Sequence, residues 1–136
     1  MHEKLKTVLL LDDNGATNII HKKFIVKANC AEQILKFQNG VDALHYLNLE
    51  ATEPPDLVFV DINMPIMNGW QFLEELGKVK TLFKKKPTVI LLSTSLSPTD
   101  REKANNIEII DQVKLKPLTV KAVQEIVSNF FPKPID

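Results

Sequence analysis

Three runs in this chain admit no polar break: Thr7-Val8-Leu9-Leu10-Leu11, Asp56-Leu57-Val58-Phe59-Val60-Asp61 and Thr88-Val89-Ile90-Leu91-Leu92. A strand with one wet face alternates polar and apolar residues, whereas an unbroken apolar run belongs to a strand covered on both faces. Two further segments, Gln33-Ile34-Leu35-Lys36-Phe37 and Gln112-Val113-Lys114-Leu115, alternate more, as edge strands do. Strands of this kind separated by longer helical patterns predict a parallel α/β sheet.

The intervening segments supply five helices. Residues 15–28 place Ile19, Ile20, Phe24 and Ile25 along one stripe, residues 40–49 do so with Val41, Leu44 and Leu47, and residues 69–79 with Phe72, Leu73 and Leu76. Ser97-Pro98-Thr99-Asp100 opens the fourth helix with a cap, a proline in the first turn and an acid three residues on. Thr119 caps the fifth, in which Val120, Val123, Ile126, Val127 and Phe130 recur at helical spacing until Phe131-Pro132-Lys133-Pro134 stops it. The expectation is one (βα)5 domain over residues 1–136, with a core of about 5–131 and a short tail.

Composition narrows the class. The single cysteine, Cys30, excludes an internal disulfide and a cysteine-based zinc cage. The five-residue apolar run after the amino terminus is too short for a signal peptide or a membrane span, so a cytoplasmic location without a membrane partner is expected. Seventeen basic residues balance seventeen acidic ones, which offers no general field for nucleic acid. The balance is uneven along the chain: residues 1–62 sum to −3 and residues 63–136 to +3. Lys78, Lys80, Lys84, Lys85 and Lys86 cluster without an acid among them, as a solvated face or as a docking patch for an acidic partner.

In an open parallel sheet, ligands bind at the carboxyl ends of the strands. The first run ends in Asp12-Asp13-Asn14, the third strand in Asp61-Ile62-Asn63, the fourth in Ser93-Thr94-Ser95 and the fifth in Lys116-Pro117. If the first and third strands are neighbours, three carboxylates converge, and they repel one another unless a cation compensates. Hard oxygen ligands with room for water suit Mg²⁺. An aspartate nucleophile, a divalent cation, a lysine and a hydroxyl are together the parts of phosphoryl transfer.

These residues resemble the receiver domain of two-component response regulators. The likeness rests on Leu9-Leu10-Leu11-Asp12-Asp13, on Asp61-Ile62-Asn63-Met64-Pro65-Ile66-Met67-Asn68-Gly69, on Leu92-Ser93-Thr94-Ser95 and on Lys116-Pro117, in the family's order and spacing. It implies a flavodoxin-like sheet of order 2-1-3-4-5 and a phosphoacceptor module, not an enzyme beyond its own phosphotransfer and dephosphorylation. Asp61 would be the phosphoacceptor, with phosphoryl coming from a histidine kinase or a histidine phosphotransfer protein. Asp13 would bind Mg²⁺ directly, Asp12 would hold its waters, and the Asn63 backbone carbonyl would be a further ligand. Lys116 would contact the phosphoryl group and precede a cis proline, and an unidentified downstream protein would read the switched surface.

The switch hydroxyl has two candidates. Counting back from Lys116 at the commonest family spacing reaches Thr94, while anchoring on Asp100 and Ala104 of the next helix reaches Ser93; Ser93 is preferred. The family's usual aromatic three residues before the lysine is replaced by Val113, so output would travel through backbone and loop movement. Leu118 replaces a commoner phenylalanine, and Gly15 is a poor helix former at the start of the first helix. Trp70 is expected half-buried near the site, His21 and His45 on the surface, and Cys30 as a small apolar residue. A haloacid-dehalogenase-type phosphatase would need a second aspartate at position 63, where Asn63 stands. A flavodoxin-like electron carrier would need a phosphate cradle that the acidic edge would repel, and a degenerate receiver would lack part of the acidic set. The expected form is a single-domain regulator.

Overall fold

Strand and helix alternate throughout. The computed structural model describes residues 4–50, 53–64, 67–79, 85–95 and 97–132. The elements are β1 (Leu5–Leu11), α1 (Gly15–Ala28), β2 (Ala31–Phe37), α2 (Gly40–His45) running into a π turn (Tyr46–Glu50), β3 (Leu57–Asp61), α3 (Gly69–Leu76), β4 (Thr88–Ser93), α4 (Pro98–Asn105), β5 (Gln112–Leu115) and α5 (Val120–Phe130). All strand pairs are parallel, in the order β2-β1-β3-β4-β5. The expected topology is the one observed.

The unbroken apolar runs divide between two cores, as the two-residue period of a strand requires. Leu9, Leu11, Val58, Val60, Val89 and Leu91 face Ala43, Leu47, Phe72, Leu73, Leu76 and Ala104 of α2, its π turn, α3 and α4. Val8, Leu10, Leu57, Phe59, Ile90 and Leu92 face Ile25, Val123 and Ile126 of α1 and α5. β3 is buried along its whole length, whereas β2 and β5 stay partly open, as edge strands.

Helix starts follow from side-chain caps. Asn14, Asn39, Asn68, Ser97 and Thr119 each accept a backbone N–H of the first turn that would otherwise lack a partner. At α3 the cap is reciprocal, because Gln71 Oε1 accepts the Asn68 N–H at 3.0 Å.

Two helical stripes differ from expectation. On α1, Ile19 and Ile20 are 49% and 48% exposed, and the buried row is Asn18, His21 and Ile25. His21 is therefore an interior residue and not a surface one, while His45 is exposed as expected. On α2, Val41 is exposed and Ala43 joins the expected Leu47 in the core; the helix passes into a π turn after His45. Trp70 is half-buried, with Lys103 Nζ 4.8 Å from its ring centroid. Cys30 is half-buried against the α1/α5 core, and burial pushes its thiol pKa up.

The lysine-rich segment is partly described. Lys78 pairs with Glu75, Lys85 with Asp56 and Lys86 with Asp111, so these three are engaged with the chain's own acids. Lys80 and Lys84 lie outside the described residues, as do Pro65 and Ile66 of the Asp61 motif. Among the described residues, no helix is long and apolar enough to cross a membrane.

Candidate phosphoryl-transfer site

Register brings the charged strand ends together. Leu11 lies beside both Phe37 and Val60, Asp61 beside Leu92, and Ser93 beside Leu115. The residues following those positions thus emerge at one edge. One carboxylate oxygen from each of Asp12, Asp13 and Asp61 lies within 4.8 Å of the others. Asp12 and Asp61 are buried and Asp13 is exposed, so the cluster opens to solvent on the Asp13 side.

Each acid is held by its own loop. Asp12 N–H donates to Phe37 O at 3.1 Å, and its Oδ1 accepts the Asn14 N–H at 2.9 Å. Asp61 Oδ1 accepts the Asn63 N–H at 3.4 Å, and Gly69 N–H donates to Ile62 O at 2.8 Å, drawing the start of α3 onto the end of β3. A Cβ at Gly69 would lie 2.5 Å from Asp61 O and 2.8 Å from Ile62 Cα. Glycine is required there by backbone proximity.

Lys116 directly follows β5 and is joined to Pro117 by a cis bond, as expected. Its Nζ donates to Asp12 Oδ2 at 2.6 Å and lies 3.0 Å from Asp61 Oδ1. Burial pushes the Asp61 carboxyl above the usual carboxylate range; the Lys116 hydrogen bond opposes this, and the charge of Asp12 adds to it. Burial acts to lower the Lys116 ammonium, but its hydrogen bonds and attraction to Asp12 and Asp61 together carry it above its ordinary value. One cation thus serves two buried carboxylates, with a third carboxylate beside them.

Ser93 closes β4 and is 1% exposed; its hydroxyl donates to Ser95 O and accepts the Ser95 N–H at 3.2 Å. Thr94 is exposed on the following turn. The Asn63 side chain is exposed, and Val113 is half-buried against the α2/α3/α4 core.

The model of the response regulator receiver domain family matches residues 8–135. This chain belongs to the response regulator receiver domain family. Such domains serve two-component phosphorelay signalling as phosphoacceptors and interact with histidine kinases or phosphotransfer proteins. The receiver is similar to a two-component response regulator from Cytophaga hutchinsonii, with 31% identity, 96% of this chain and 100% of that one covered, and a TM-score of 0.85. It is 31% identical over 99 residues to hybrid signal transduction histidine kinase D of Dictyostelium discoideum; the match takes in 71% of this chain and 6% of that protein. The fold is also that of the receiver domain of a sensor histidine kinase from Pseudomonas aeruginosa PAO1, a structure with a magnesium ion coordinated in its active-site cleft. That pair has a TM-score of 0.75 at 16% identity, covering 92% of this chain and 96% of the other.

Two site neighbours were not anticipated from sequence. Asn18 Nδ2 donates to both Asp12 O and Phe37 O at 3.0 Å, tying the ends of β1 and β2 together. His21 Nε2 accepts the Leu118 N–H at 3.3 Å. No sequence signal singled them out, because Ile19 and Ile20 offer an equally good apolar stripe on the same helix.

Proposed function

We propose that Asp61 accepts a phosphoryl group from the phosphohistidine of a kinase or phosphotransfer protein, and that the product changes the surface offered to a downstream protein. The observation carrying this reading is the Lys116 ammonium seated between Asp12 and Asp61, with Asp13 at the open side. An Asp61 oxygen attacks phosphorus, the bond from phosphorus to the histidine nitrogen breaks, and its electron pair leaves with the imidazole. The product is an acyl phosphate.

The donor set fits Mg²⁺: three carboxylates, hard oxygen donors of like charge, one of them exposed to solvent. Asp13 and Asp61 would hold the ion with the Asn63 carbonyl, and Asp12 would bind its waters. When bound, Mg²⁺ neutralises charge on the phosphoryl oxygens. Lys116 supplies a point charge to the same oxygens. The Ser93 hydroxyl, spent on Ser95 in the present conformation, turns to the arriving phosphoryl group and draws its loop inward. Thr94 is the second choice for that role. With Val113 in place of an aromatic, the output runs through this loop and not through a ring on β5.

The protein acts as a regulator that turns over only its own acyl phosphate. The exposed Asn63 stands where a phosphatase of related chemistry would carry its acid, so steady hydrolysis of phosphate esters is not expected. The test is to incubate the protein with Mg²⁺ and acetyl phosphate and to measure intact mass. A gain of one phosphoryl group, lost in Asp61→Asn, is the expected result. No adduct, or one that survives Asp61→Asn, sinks the reading.

A further inference from the structure

α1 turns two polar side chains inward. Asn18 and His21 are each 2% exposed, and a buried polar group costs free energy unless it is hydrogen-bonded. Asn18 bonds the backbones at the ends of β1 and β2. His21 reaches across the fold to Leu118, 97 residues away in sequence.

The position of that bond matters. Pro117 has no N–H, so Leu118 carries the first amide after Lys116. Leu118 is buried, and its amide finds an acceptor in His21 Nε2. On the other side, Lys116 N–H donates to Ser93 O at 2.7 Å. The turn bearing Lys116 is thus held by β4 before it and by the imidazole after it. A ring nitrogen that accepts carries no proton, so the neutral imidazole has its proton on Nδ1. Burial lowers the His21 pKa, which favours that neutral form; the charge of Asp12 opposes this and that of Lys116 assists it.

We propose that His21 is a positioning residue for Lys116: by accepting the Leu118 N–H, its neutral imidazole fixes the 116–118 turn so that Nζ meets Asp12 and Asp61. This rests on the reading of Asp61 as phosphoacceptor and Lys116 as its phosphoryl contact. A side chain that fixes a reacting group from behind typically changes activity by about 10–100-fold when lost.

The test compares the wild-type protein with His21→Leu, which fills the space without an acceptor, and His21→Gln, whose amide oxygen can accept. Phosphorylation by acetyl phosphate in Mg²⁺ is expected to slow by about tenfold in His21→Leu and to recover in His21→Gln. The Mg²⁺ midpoint, read by Trp70 fluorescence, is expected not to rise, because an ammonium displaced from Asp12 and Asp61 competes less with the ion for those carboxylates. A His21→Leu protein that reacts at the wild-type rate overturns the proposal. So does a His21→Gln protein as slow as His21→Leu, or a Mg²⁺ midpoint that rises as much as the rate falls, since weakened metal binding would then account for the loss.

Long-range nitrogen–proton NMR of the wild-type imidazole keeps the claim open to refutation even if a variant fails to fold. The Nδ1–H tautomer is expected, and an Nε2–H tautomer contradicts the proposal. Should the wild-type protein take no phosphoryl group, the Asp61 reading fails by itself. His21 is then judged by tautomer and by Leu118 amide exchange: protection lost in His21→Leu and regained in His21→Gln supports the positioning role, and equal protection refutes it.

Discussion

Asp12 and Asp61 are buried acids that depend on one ammonium group, and this sets what single substitutions do. Asp61 holds its proton more tightly in the folded chain than in the unfolded one, chiefly through burial. Its ionisation therefore subtracts stability as pH rises from the ordinary carboxylate value through the raised folded one. Carbon-13 NMR of metal-free protein should give an Asp61 midpoint above the ordinary value, and Lys116→Met should move it higher. A midpoint at or below the ordinary value would contradict the burial argument. Gly69 is the other sensitive residue: Gly69→Ala puts a methyl into the Asp61 and Ile62 backbone and should cost about 1–3 kcal/mol, readable by urea denaturation. On the proposed role of Asp61 its phosphorylation should slow as well, because the displaced atoms belong to that residue's backbone. The acidic residues and the lysine were legible as strand-end groups. The need for glycine at 69 was visible only as part of a family pattern, because the clash is with a backbone eight residues earlier.

The elements differ in how firmly they are held. β3 runs buried between β1 and β4, and Phe59 lies wholly inside the α1/α5 core, so Phe59→Ala should lose about 3–5 kcal/mol by chemical denaturation. α4 buries only Ala104 and keeps a largely charged surface. Its start depends on Ser97, whose side chain accepts the Asp100 N–H at 3.0 Å; Ser97→Ala should cost about 1 kcal/mol. Lys103 over Trp70 links α4 to α3, so Lys103→Ala should change Trp70 emission with little loss of global stability. A stability loss as large as that of Phe59→Ala would mean that α4 is a core element. Strand placement and the caps at Ser97 and Thr119 were readable locally, since burial on two faces and capping chemistry leave residue-level marks. The buried row of α1 was not readable, because apolar Ile19 and Ile20 satisfy a helical stripe equally well. Only the neighbouring strand ends make Asn18 and His21 the residues that turn inward.

For the molecule as a whole, the neutral total conceals a local excess of negative charge at one end of the sheet. Mg²⁺ binding to the folded state alone should therefore stabilise it, by about 2.7 kcal/mol at a concentration near 100 times the dissociation constant. Thermal denaturation with and without Mg²⁺ measures this, and Asp13→Ala should remove most of the gain; equal gains in both proteins would place the metal elsewhere. The lysines between positions 78 and 86, read as a solvated face or a docking patch, are exposed where described and pair with Glu75, Asp56 and Asp111. By itself, the sequence determined the order of elements, the central strands, the helix caps at Ser97 and Thr119 and the set of groups delivered to the carboxyl edge. These follow from local rules: two-faced burial, helical period and the position of a polar residue at the end of an apolar run. Only the tertiary structure decided which hydroxyl lies inside, with Ser93 buried and Thr94 exposed, and that Lys116 bridges two acids. It alone showed that a buried histidine on α1 accepts the amide after Pro117. Those outcomes depend on strand register and on contacts between residues about 50 to 100 positions apart, to which no local pattern is sensitive.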